Sequence, residues 1–327
     1  MDYSLKKVLM SYQKPNESLS TYYILSTVLL GFSSIILSVA SFNTLPWVTF
    51  LMYPFIFIFL CRSVVLLHDA GHNALYKESW KNSLAGNLMS LMNLIPNEFF
   101  SYMHNMHHAA VGNLEKRHLN PELKTLTTEE YQAASFFQKM AYRFMRSFFC
   151  RLVLTPLSLF LVTRIPLPML LQKAKLFTIA YDVLIAGILF LAFKFDFMLS
   201  LIVGFFIPLF ACYILVSIVF YLQHQFEDTC WLDNEDWSLA EASLKGSSFL
   251  IFGRFMKTVT CNIGYHHIHH LNPLIPCYNL EIAHNKIEND ISFKVVRISQ
   301  VFKHMRGKLW DKKQKKLVSF KSVYANH

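Results

Sequence analysis

The chain has 327 residues, of which 54% are hydrophobic and 30 are phenylalanine, and it carries a formal net charge of +10. A water-soluble domain has no way to cover so much apolar surface, so an ordinary soluble fold is excluded first. Anionic lipid headgroups suffice to account for the positive charge, with basic runs such as Trp310–Lys316 suited to them, and no nucleic acid is required.

In chain order, a polar arm of mixed charge precedes Tyr22 and has no small-residue cleavage site, so the first apolar run is expected to remain as an anchor. A hydrocarbon core of about 30 Å takes roughly 20 residues at about 1.5 Å rise each. Residues 22–42 and 47–67 meet that length, and the short link Asn43–Pro46 makes them a helical hairpin. Residues 177–193 and 197–222 form a second hairpin across Lys194–Asp196. The first link has no Lys or Arg and the second has Lys194 alone, so the positive-inside rule places 68–176, 223–327 and both termini in the cytosol. Arg62 and Asp182 are read as interfacial, near the cytosolic ends of the second and third spans.

Between the hairpins, Ser83–Pro96 and Arg151–Arg164 are apolar but too short to cross, which suits interfacial or re-entrant helices. Gly112–Tyr131 reads as a polar loop leading into a helix capped by Thr127 or Thr128 ahead of Glu129 and Glu130. No segment after His224 can span, so the last hundred or so residues are expected to form a mostly helical cytosolic cap. The six cysteines follow no CxxC spacing and read as reduced packing residues. The expected fold is therefore an all-α membrane protein with four transmembrane helices in two hairpins and a helical cap, one domain over 1–327.

Most of the 14 histidines fall into short boxes: "HDAGH" at 68–72, "HNMHH" at 104–108 and "HHIHH" at 266–270, with His224 alone at the end of the fourth span. On a helix, positions i and i+4 lie about 40° apart and i and i+3 about 60° apart, so each box presents imidazoles on one face. A histidine directly following another leans away by roughly 100°, which suits two metal ions better than one. Zinc takes three or four ligands and does no redox chemistry. Nine histidines on one predicted side of the membrane instead indicate a dinuclear iron centre that uses O2. Carboxylate-bridged two-iron bundles repeat an ExxH motif. Glu281–His284 has that spacing here without a partner among the boxes, so the centre is expected to be nearly all nitrogen. His118, His284 and other isolated histidines read as ordinary polar residues.

The three boxes resemble, in order, the hallmark of the membrane fatty acid desaturase family over roughly residues 45 to 285. "NIGYHHIHHLNPLIP" and "GNLEKRHLNPELKTLTTEEY" look in particular like its bacterial acyl-lipid omega-6 (Δ12) branch. The resemblance implies two Fe2+ ions held by His68, His72, His104, His107, His108, His224, His266, His269 and His270, with O2 as co-substrate. It leaves His267 out, and it makes Asp69 and Asn262 residues that orient the ligand rings by hydrogen bonding. Phe220 stands where some acyl-CoA members carry an amide. The implied reaction inserts a cis double bond into a lipid-linked acyl chain. Without a His-Pro-Gly-Gly stretch or a GxGxxG in this sequence, electrons are expected from an external donor such as ferredoxin or cytochrome b5. With no transit peptide in the sequence, a bacterial inner membrane is expected rather than a plastid, the endoplasmic reticulum being the alternative. Two rival readings stand beside it: a related di-iron hydroxylase or carotenoid oxygenase, and a non-enzymatic metal-binding membrane protein.

Overall fold

The computed structural model describes residues 3–119, 125–165 and 172–323. Residues 120–124 of the Gly112–Tyr131 stretch and both extreme termini lie outside them. After a short helix α1 (Tyr3–Met10), α2 (Glu17–Ser41) starts where Asn16 accepts the backbone N–H of Leu19, a side-chain N-cap. Helix α3 (Pro46–Gly71) starts on a proline, whose missing N–H costs nothing in a first turn. Ser38, Ser41 and Thr49 knit the pair near the link, with Thr49 Oγ1 donating to the Ser38 carbonyl at 2.8 Å.

Helix α9 (Gln172–Lys194) and the stretch Met198–His224 make the second hairpin. That stretch comprises α10 (Met198–Leu201), a π-helical turn at Ile202–Phe206 and α11 (Ile207–His224). A second π-turn, Cys150–Leu154, leads into α8 (Thr155–Val162). Each π-turn ends two residues before a proline, Pro208 or Pro156. A proline withholds its N–H and crowds the carbonyl four residues back, and a widened turn relieves both.

Among the described residues four helices are thus long and apolar enough to cross a membrane: Glu17–Ser41, Pro46–Gly71, Ala174–Lys194 and Met198–His224. All four expected spans are present, each extending beyond its apolar run because polar helix ends continue into the head. Helix α7 (Phe136–Met145) and the Cys150–Val162 stretch form a pair bent by 60°, in keeping with a re-entrant or interfacial reading of 151–164.

The two charged residues read as interfacial find partners within the fold. The Arg62 guanidinium stacks 4.3 Å over Tyr23 and donates to Ser26 Oγ at 3.1 Å on the neighbouring α2. Asp182 lies ten residues into α9 and pairs with Arg164 Nη1 at 3.3 Å. A carboxylate in an apolar helix is tolerable because a cation from the segment after α8 meets it.

The head is mostly helical: α4 (Ser79–Asn93), α5 (Asn97–Ala110), α6 (Thr128–Ala133), α12 (Leu239–Lys245), α13 (Arg254–Val259), α14 (His266–Leu271), α15 (Cys277–Ile287) and α16 (Val301–His304). Helix α6 carries the expected cap as a full capping box, Thr127 with Glu130. Two small sheets were not anticipated. Strand β1 (Ser248–Ile251) runs parallel to β2 (Lys294–Arg297), and β3 (Leu309–Asp311) pairs antiparallel with β4 (Lys316–Val318). Strands of three or four residues are too short to declare a period. All six cysteines are free, and Cys61, Cys212, Cys261 and Cys277 are buried.

Candidate metal centre

The ends of α3 and α11 meet α5 and α14, and nine imidazoles face one another there. His68 sits on the last turn of α3 and His72 caps it. His104, His107 and His108 lie on α5, His224 is the last residue of α11, and His266, His269 and His270 lie on α14.

They divide into two groups, His68, His72, His104, His108 and His269 in one and His107, His224, His266 and His270 in the other, the ligand atoms of each group lying within 4.8 Å of one another. The division follows helical geometry. The i, i+4 pairs His68/His72 and His104/His108 serve the first group, and the pair His266/His270 serves the second. The i+3 members, His107 and His269, are each rotated off their pair and cross to the other group. All nine residues expected as ligands are therefore brought together, and each box of the form HxxHH contributes to both groups.

In the second group the Nε2 atoms close a ring: His107 to His224 at 3.1 Å, His224 to His266 at 2.9 Å, His266 to His270 at 3.0 Å and His270 to His107 at 3.3 Å. In the first, His108 Nε2 lies 3.0 Å from His104 Nε2 and 2.9 Å from His269 Nε2, while the buried Nε2 atoms of His68 and His72 have no hydrogen-bond partner.

Two anchored rings show what these nitrogens carry. His224 Nδ1 lies 3.1 Å from the Gly246 carbonyl, which can only accept, so the proton is on Nδ1 and Nε2 holds a lone pair. His68 Nδ1 likewise meets Asp69 Oδ1 at 3.0 Å, while Asp69 Oδ2 accepts the Cys277 backbone N–H at 2.6 Å. Lone pairs converging at such distances repel unless a cation lies between them. An imidazole nitrogen sits about 2.0–2.1 Å from a bound transition ion, so ligands at right angles are about 3 Å apart. The observed separations fit that donor set.

Burial first, and neighbouring imidazoles second, hold His72, His104, His108, His266, His269 and His270 well below the usual imidazole range. These rings are neutral and ready to ligate. Phe220 packs 5.2 Å from the rings of both His107 and His224, an apolar wall beside the second group.

Other residues resolve differently. Asn262 occupies a left-handed turn position at φ 61°, and among the described residues its side chain makes no hydrogen bond to a ligand ring. His267 pairs with His284 at 3.1 Å, and His284 with Glu288 at 3.3 Å, outside both groups. Glu281 of the ExxH at 281–284 bonds Lys257 and Tyr265 and stays clear of the centre. His118 is exposed beside the Glu115 carbonyl. The Gly246 carbonyl left no trace in the sequence, because any residue offers one.

A family model described as fatty acid desaturase matches residues 18–302. The chain is 31% identical over 324 residues to a protein of Bacillus subtilis (strain 168) named fatty acid desaturase, an alignment covering 98% of this chain and 91% of that protein. It is 26% identical over 240 residues to the sn-1 oleoyl-lipid 12-desaturase of Synechocystis sp. (strain ATCC 27184 / PCC 6803 / Kazusa), covering 71% and 66% of the two chains. It is 24% identical over 285 residues to the sn-1 acyl-lipid omega-3 desaturase (ferredoxin) of Nostoc sp. (strain 36), covering 82% and 74%.

Proposed function

The chain belongs to the fatty acid desaturase family, and from that premise we propose that this membrane oxidoreductase inserts a cis double bond, at the Δ12 (omega-6) position, into an acyl chain carried on a membrane glycerolipid. The observation that supports this most is the pair of buried histidine groups beside the ends of the spanning helices. Two ferrous ions, one in each group, would supply with O2 the oxidising power that an unactivated C–H bond demands.

The protein's own residues do the positioning. Asp69 and the Gly246 carbonyl hold the His68 and His224 rings in the tautomer that leaves Nε2 free to ligate. Phe220 and the surrounding apolar side chains keep water from the second group. Residues 1–327 act as one integral-membrane unit. Both termini face the cytosol, because the two hairpin links hold Lys194 as their one basic residue, and the membrane is a bacterial inner membrane. The basic head receives electrons from an acidic external carrier, ferredoxin in the first instance.

The test is the fatty acid profile, with double-bond positions, of a bacterium lacking polyunsaturated lipids that expresses this chain together with a reductase and ferredoxin. A Δ12 diene in the wild type and none in His269→Ala supports the reading. Dienes at another position refute the Δ12 assignment, and hydroxylated chains refute desaturation as the outcome.

A further inference from the structure

Beside the histidine centre, the end of α7, the end of α11 and the segment joining α16 to β3 enclose a group of cations. Arg146 is 2% exposed. Its Nη2 donates to Gln225 Oε1 at 2.7 Å, and its Nε and Nη1 have no hydrogen-bond partner. Lys308 Nζ donates to the Arg146 carbonyl at 2.5 Å. The Arg151 guanidinium lies nearby, 4.4 Å over the Tyr221 ring. Neither Arg146 nor Lys308 takes part in any ion pair among the described residues. Burial, with Arg146 and Arg151 adding to it, pulls the Lys308 ammonium down to about 7.

A buried guanidinium without a carboxylate is costly, and one that keeps two donors idle is poised for an anion. Its planar fork matches the oxygens of a phosphate, and a nearby ammonium adds a point charge. The surroundings indicate which phosphate. Helix α7 leaves Phe136, Phe137, Met140 and Phe144 exposed, and Phe148 and Phe149 follow just after Arg146. Aromatic side chains bare on one face next to a basic cluster are what a helix at headgroup depth presents. Gln225, which holds Arg146, directly follows the ligand histidine His224.

We propose that Arg146 and Lys308 bind the phosphate of a phospholipid, and that this phospholipid is the substrate whose acyl chain reaches the histidine groups. The inference rests on the acyl-lipid reading above and names the headgroup class. A free inorganic phosphate offers the same chemistry, so it forms a separate arm of the test.

Full-length protein in a non-ionic detergent, stripped of lipid, is titrated with dioctanoyl phosphatidylglycerol, with a diglucosyl dioctanoylglycerol of the same chains, and with inorganic phosphate. The expected result is at least tenfold tighter binding of the phospholipid than of the glycolipid. Arg146→Gln and Lys308→Gln should each lose at least tenfold for the phospholipid and leave the glycolipid unchanged, with inorganic phosphate competing only weakly. Lys308 is only partly buried, so its variant carries the test should Arg146→Gln not fold. Wild-type phospholipid affinity in Lys308→Gln overturns the proposal. Tight inorganic phosphate binding that leaves phospholipid affinity unchanged overturns the lipid assignment. The acyl profile of expressing cells that hold both phospholipids and glycolipids reports independently: dienes formed equally on the two classes refute this inference alone, whereas preferential phospholipid binding without any desaturated product refutes the substrate reading alone.

Discussion

Asp69 is fully buried and accepts two hydrogen bonds, from His68 Nδ1 and from the Cys277 backbone N–H. Asp69→Asn preserves its shape but leaves one acceptor oxygen and turns the other position into an NH2 group. One of the two donors then faces a donor. The Cys277 N–H is fixed at the start of α15, so the amide oxygen is expected to stay with it and the His68 contact to be lost. A hydrogen bond to a charged group contributes about 1.5–3 kcal/mol. Losing the partner that orients a ligand histidine typically weakens metal binding about 10–100-fold, which is about 1.4–2.8 kcal/mol, so the two estimates agree. Metal affinity measured by chelator competition should fall by that factor in Asp69→Asn, with the change confined to the first histidine group, the one to which His68 belongs. Asp69→Ala strands both donors and should lose at least as much. Metal binding within twofold of wild type in both variants would refute the idea that Asp69 sets the His68 tautomer.

Three further outcomes follow from other contacts. A Cβ at Gly204 would meet Val39 Cα and N at 2.9 Å, backbone that cannot swing aside, so Gly204→Ala should cost about 1–3 kcal/mol and lower the thermal midpoint in detergent. Thr127→Ala removes one half of the α6 capping box and should cost about 1 kcal/mol, seen as faster amide exchange in Thr128–Ala133 with activity unchanged. Burial lowers six of the centre's histidines below their ordinary 6.5. Below that pH the unfolded chain takes up protons that the folded chain does not. Chelated protein should therefore be equally stable at pH 7 and 8 and lose stability as pH falls from 6.5, each histidine adding up to about 1.4 kcal/mol per pH unit. A thermal midpoint that rises between pH 6.5 and 5 would contradict this.

Much of the architecture follows from local periodicity. Four apolar runs of sufficient length became four helices, and boxes with i, i+4 spacing became helix faces, because both depend on neighbours within a few turns. Local spacing also pointed to ligands leaning in two directions. It did not reveal that His107 and His269 would cross to the opposite group, a choice made by packing α5 against α14 across the 161 positions that separate His108 from His269. The Arg164–Asp182 pair, the Gly246 carbonyl on His224 and the Arg146–Gln225 contact are of the same kind. Apolar runs and helical faces are written in the order of residues. Which buried polar group meets which was decided by tertiary structure, since a charge or lone pair removed from water needs a partner and the chain supplies it from wherever the fold brings one close.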